Sequence, residues 1–295
     1  MPRVKQWRRF TSAAAAAHLR AGEGGDLDVT LDPLDGPEFL QAFKEWASGA
    51  HERSDENALR GIVLDFNGAS AVADTFVHNI MLVFEMLATL YESDDHNEHV
   101  SAIVPLIDHV GFRTLRPFNA IYAGRLVRAL AALPNLEILD ASHAFSSDDT
   151  LPLLAASILD FASLKFLSIT AEGANFMDRV DLRPLAAAVG GPFASERARA
   201  LRDHLYARVG LEVRQILEPY LRGPPSTLRG IVVGHRFANL ETLKAFAEAM
   251  RSNARLDVRG SIWVTNSWDA NAEAIKEEGR QLSRRRYVDW REYSG

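Results

Sequence analysis

The sequence predicts an α/β chain in which short parallel strands alternate with helices, strands inside and helices outside, in the manner of a solenoid. Three observations predict it. The pentapeptide Leu-Arg-Gly-Ile-Val occurs twice, at Leu59–Val63 and Leu228–Val232, each copy leading into a turn and an apolar run. Leu136–Ala141 and Leu164–Ile169 share one grammar, with leucine at positions one and four and a small or apolar residue at six. Between such segments the apolar spacing switches from alternation to threes and fours, which is the change from strand period to helix period. Units of this kind bury their apolar faces only by stacking on neighbours.

Taken in order, residues 1–25 read as a basic, partly helical N-terminal extension. They hold Arg3, Lys5, Arg8, Arg9 and Arg20, no acid before Glu23, and the run Ala13–Ala17. Five alanines followed by His18 and Arg20 are too short and too polar for the core of a secretory signal, whereas an acid-poor leader for an organelle or a specialised export route stays open. A strand then starts at Leu27, followed by Phe39, Leu40, Phe43 and Trp46 at helical spacing. The strand at Leu59 precedes a helix with Phe76, Ile80, Val83, Phe84 and Leu87. A further strand start is expected at Ile103. Leu126, Val127, Leu130 and Leu133 form the helix before the motif at Leu136, and the next motif starts at Leu164. Residues 193–222 form an inserted helical segment, with Leu201, Leu205, Val209, Val213, Ile216 and Leu217 in one stripe. Gly223-Pro224-Pro225 breaks the chain before the strand at Leu228, and the helix Leu240–Met250 follows. The last unit, from Leu256, fits better in the register of Ile262 and Val264. Residues 26–279 are thus a degenerate repeat array, and 280–295 a basic, then aromatic, C-terminal cap or tail.

Composition narrows the function. Across 295 residues, 47% are hydrophobic and 24% charged, which is enough to bury a sizeable core. Net charge is −6, whereas nucleic-acid binding usually needs a basic domain, so no nucleic-acid partner is expected. No apolar run reaches the ~18–20 residues of a membrane span. Cysteine is absent, which removes disulfides, thiolate metal sites and thiol nucleophiles. The phosphate-binding signatures G-x-x-x-x-G-K-[ST] and G-x-G-x-x-G after a strand are missing, as are G-x-S-x-G and H-E-x-x-H. The expectation is therefore no enzyme, no cofactor and no metal.

Several polar groups compete for a chemical role. Asp94–His99 is dense in possible ligands, but a closed zinc site needs four ligands in fixed geometry, so the run reads as a solvated loop. His143, Asp148 and Asp149 read as a polar turn after a strand. Arg284–Arg286 beside Tyr287 and Trp290 reads as a solvated terminus. The strands carry the stronger signal. Strand side chains alternate faces, so burial of the motif leucines turns Ile138 and Asp140, Phe166 and Ser168, Gly230 and Val232, and also Trp263, toward the opposite side. Apolar residues gathered there mark a partner site if the face is open, and a buried face if the inserted segment Phe193–Leu221 or a terminal cap folds over it.

Leu136–Ile158 resembles the long leucine-rich repeats of the ribonuclease-inhibitor type, and Leu164–Val189 and Leu228–Met250 are similar. The usual turn asparagine is replaced near His143. This resemblance implies a non-catalytic scaffold that binds another protein through its strand-lined surface. The first hundred residues also resemble a STAS-like regulatory domain, through Leu34–Leu40, Gly61–Gly68 and Asp74-Thr75-Phe76. That resemblance implies a switch at Thr75 or Ser70. The Ala- and Arg-rich, cysteine-free composition points to a bacterial protein, while the lack of cysteine does not fix the compartment. A cytoplasmic location is expected, with export through the N-terminal segment left open, and a basic leader ahead of leucine-rich repeats resembles translocated effectors.

Overall fold

The computed structural model describes residues 7–48, 58–66, 73–92, 107–169, 183–190, 227–236, 241, 244–245, 247–249, 253, 257–264, 277 and 291–294. They divide into two units. The first comprises Met1–Ser146 with Asp160–Leu164, the second Ser147–Leu159 with Lys165–Gly295.

The first unit runs β1 (Arg8–Thr11), α1 (Ser12–Arg20), β2 (Gly25–Thr30), α2 (Gly36–Ser48), β3 (Leu59–Asp65), α3 (Ala73–Glu92), β4 (His109–Arg113), α4 (Ala120–Ala131) and β5 (Ile138–Asp140). A 3-10 turn, Ser142–Phe145, follows. Each strand pairs in parallel with the next one in the chain. Crossovers between parallel neighbours are right-handed almost without exception, so steps taken always in one direction set the helices on one face. They pack in chain order, α1 on α2, α2 on α3 and α3 on α4.

Register explains the core. Leu27, Ile62, Val110 and Leu139 stand in one row across four strands, and Val29, Leu64 and Phe112 in another. All seven are fully buried, against helix residues such as Leu19, Phe43, Trp46, Phe84 and Leu126. Each such side chain stabilises the fold by about 1.5–3 kcal/mol relative to exposure. Phe118 meets Phe66, Phe112 and Phe145 edge to face at 5.4, 5.6 and 6.2 Å, an aromatic cluster beyond the strand ends.

Local signals place the elements. Thr11 caps α1 by accepting the Ala14 N–H, and His18 and Arg20 in the last turn suit the helix dipole. Gly22 and Gly25, at φ 79° and 98°, make the turn into β2. Asn119 caps α4 through the Ile121 N–H. On the helix layer, Arg20 reaches Glu38 at 2.6 Å and Glu45 at 3.7 Å, joining α1 to α2. Arg125 grips both oxygens of Glu85 at 2.7 and 2.6 Å, joining α4 to α3. Hydrogen bonding to Glu38 and to Glu85 respectively holds each guanidinium above its ordinary range.

Two elements differ from the expectation. The basic segment set apart as an extension contributes β1 and α1, because Thr11 starts a helix whose Ala15, Ala16 and Leu19 are fully buried. The strand expected from Ile103 lies at His109–Arg113, while Ile103 itself is outside the described residues. Gly111 hides that strand in the sequence. A Cβ there would stand 2.9 Å from Cγ2 of the buried Val63 side chain, which would have to shift to admit it.

The second unit holds α5 (Leu151–Ser157), β6 (Phe166–Ile169), α6 (Arg183–Gly190), β7 (Gly230–Arg236), β8 (Asp257–Val264) and β9 (Arg291–Ser294). Its strands are again parallel and pair in chain order. Leu167 faces Ile231, both buried, and Ile231 faces Val258. β8 pairs with β7 through its first half and with β9 through Ser261–Val264, so Ile262 and Val264 do hold a strand register. Residues 291–294, expected within a cap or tail, form that last strand. One ladder step recurs in both units. The Asp108 carbonyl accepts from the N–H groups of Glu137 and Ile138, and the Lys165 carbonyl accepts from those of Arg229 and Gly230. Residues 193–222 are outside the described residues.

Candidate recognition surface

In the first unit, the sheet face opposite the helices carries three rows of side chains. Asp26, Gly61, His109 and Ile138 form the first, and Arg9, Asp28, Val63, Gly111 and Asp140 the second. Thr11, Thr30, Asp65 and Arg113 form the third. Asp26 and Asp28 are each only 5% exposed. A buried carboxylate is costly unless cations and hydrogen bonds compensate it. Asp28 has that compensation. Arg113 Nη1 reaches from β4 across β3 and donates to both Asp28 oxygens at 2.9 and 3.0 Å, and Arg9 Nε lies 3.5 Å away.

A second side chain crosses the same face. Trp7, just before β1, meets the His109 ring on β4 edge-on, with centroids 4.8 Å apart. In that row Asp26 and Gly61 stand between β1 and His109, and Gly61 has no side chain. Val63 lies in the row between these two crossings and is 3% exposed.

In the second unit the corresponding backbone register positions are Phe166, Gly230 and Asp257, then Ser168, Val232 and Arg259. Phe166 is 51% exposed and its ring lies over Gly230, where an added Cβ would be 2.7 Å from Cδ1. In the second pentapeptide copy the glycine thus lies beneath an aromatic ring.

The expected surface residues fall as follows. Ile138 and Asp140 share the helix-free face of the first unit and are half-buried. Phe166 and Ser168 share one face of β6, the phenyl ring exposed and the serine half-buried. Val232 and Trp263 lie on β7 and β8 by backbone register, their side chains being outside the described residues. Thr75 sits exposed in the first turn of α3, its carbonyl accepting from Asn79 Nδ2, and Ser70 is outside the described residues. His143 is buried in the 3-10 turn. Asp94–His99 and Arg284–Arg286 also lie outside the described residues. Among the described residues no cluster of three or more His, Asp or Glu is arranged to hold a metal, and no helix is long and apolar enough to cross a membrane.

Sequence reasoning missed Trp7, Arg9, Asp26, Asp28, His109 and Arg113. The usable signal was the alternation Asp26-Leu27-Asp28-Val29, matched by His109-Val110-Gly111-Phe112-Arg113, in which polar and apolar side chains take opposite faces. No family model, no curated protein and no solved structure matches the chain.

Proposed function

We propose that the chain is a non-catalytic protein-recognition scaffold, built as a degenerate leucine-rich-repeat-like solenoid, that binds a partner protein through the strand face opposite its helices. One observation carries the reading: an aromatic ring, Phe166, is half exposed on the strand face of the second unit while its neighbours Leu167 and Ile169 are buried. Large aromatic side chains dominate interface energetics, and this ring lies over a glycine with half of its surface open. The consecutive parallel strands of each unit support the solenoid reading, since repeat arrays pair each strand with the next. In the first unit, Arg113, 41% exposed, supplies a polar group of the kind found in interface rims.

The test is affinity capture from native extract with the wild-type chain and with the Ile138→Ser/Phe166→Ser double variant, followed by identification of retained proteins. A specific protein retained by the wild type and lost by about tenfold or more in the variant, with unchanged thermal melting, supports the reading. A double variant that unfolds would show these side chains to be core, and the strand-face reading would fall.

A further inference from the structure

A groove of about 490 Å³ runs along the seam of α2 and α3 in the first unit. Leu40, Gln41 and Lys44 line it from α2, at the three-and-four spacing of one helix face, and Thr75, Asn79 and Leu82 line it from α3. Phe76 and Val83, both 3% exposed, belong to its apolar lining, and Leu82 is 42% exposed. The neighbouring seams differ. Arg20 with Glu38 and Glu45 ties α1 to α2, and Arg125 with Glu85 ties α3 to α4. Among the described residues no ion pair crosses the α2–α3 seam. Its cation, the exposed Lys44, makes no ion pair among them, and the nearby Glu45 is engaged by Arg20 and Gln41.

A trough of this size, with apolar walls, the polar Gln41, Thr75 and Asn79, and Lys44 as its cation, falls in the range of small-molecule sites, for which volumes of roughly 300–1,000 Å³ are usual. We propose that it binds a single-chain amphiphilic carboxylate, with the alkyl chain lying between Leu40 and Leu82 and the carboxylate on Lys44. The chain covers Leu82 and removes its apolar surface from water. The carboxylate supplies Lys44 with a charge-assisted partner, as glutamates do for the arginines of the adjacent seams. This site is on the helix layer and is independent of the strand face argued above.

The experiment is isothermal titration calorimetry of the full chain with dodecanoate below its micelle-forming concentration, with dodecyltrimethylammonium as the charge-reversed control. Lys44→Glu and Leu82→Asp alter exposed positions, and their thermal melts verify folding. Should Lys44→Glu melt early, Lys44→Gln replaces it. The expected result is one saturable site for dodecanoate, weakened about tenfold by either variant, with no saturable binding of the cation. Ile138→Ser/Phe166→Ser should leave this binding intact. The proposal is overturned by absence of saturable binding, by equal binding of the two amphiphiles, or by affinity that neither variant changes. It is also overturned if sedimentation shows a dimer that Leu82→Asp dissociates while dodecanoate does not bind, which would make the groove a contact between copies.

Discussion

The ring of Phe166 lies across the backbone of Gly230, on the neighbouring strand, with no room for a Cβ between them. A comparable closeness joins Gly36 and Phe76, where a Cβ would collide with the ring. The two cases should nevertheless respond oppositely to alanine. Phe166 is half exposed and can rotate toward solvent, whereas Phe76 is enclosed. Gly230→Ala should change stability by less than about 0.5 kcal/mol, within the range of surface substitutions, while re-aiming the phenyl ring. Gly36→Ala should cost about 1–3 kcal/mol, the usual effect of overpacking. Urea melts of the two variants decide it, and equal losses at both sites would contradict the stated mobility of Phe166.

The motif positions Leu139, Leu167 and Ile231 are at most 1% exposed. Replacing any one with alanine removes buried methyl groups and leaves a cavity, so each should cost about 2–5 kcal/mol. Denaturant melts showing losses below ~0.5 kcal/mol at all three would remove the strand register described for both units.

Asp28 and Arg113 should be coupled beyond their separate effects. The carboxylate is buried and the guanidinium reaches it with two contacts, although the arginine is 41% exposed and partly screened. Arg113→Ala leaves the carboxylate with Arg9 alone at 3.5 Å, and Asp28→Ala frees the guanidinium to turn into water. A double-mutant cycle should give an interaction energy of about 0.5–3 kcal/mol. Coupling within experimental error would show that solvent screens the pair as it does at ordinary surfaces.

Metal should be dispensable. The Asp94–His99 run is the densest ligand stretch in the sequence, and it reads as a solvated loop because a zinc site needs about four fixed ligands. Addition of a chelator should leave the thermal midpoint unchanged. Stoichiometric zinc retained through purification and lost in His96→Ala/His99→Ala would reverse this.

The alternation of leucines with outward residues was enough, in the sequence alone, to determine the α/β class, the strands around Leu27, Ile62, Leu139, Leu167 and Ile231, and which side chains of β5 and β6 avoid the core. These depend on local period, and a one-residue slip would expose every buried member of the row. β1, β4 and β9 were not legible in this way. β1 is short and basic, β4 alternates but lacks a leucine and has Gly111 at its centre, and β9 is polar, so each owes its place to pairing with a neighbouring strand. Tertiary structure alone decided the composition of the helix-free face, where Trp7 meets His109 and Arg113 meets Asp28 over 85 positions of sequence. Such contacts follow from which strands stand side by side, and a linear pattern contains no term for that. The same holds for the α2–α3 groove: Leu40, Phe76 and Val83 belong to stripes legible in the sequence, but only helix packing brings Lys44, Thr75, Asn79 and Leu82 beside them.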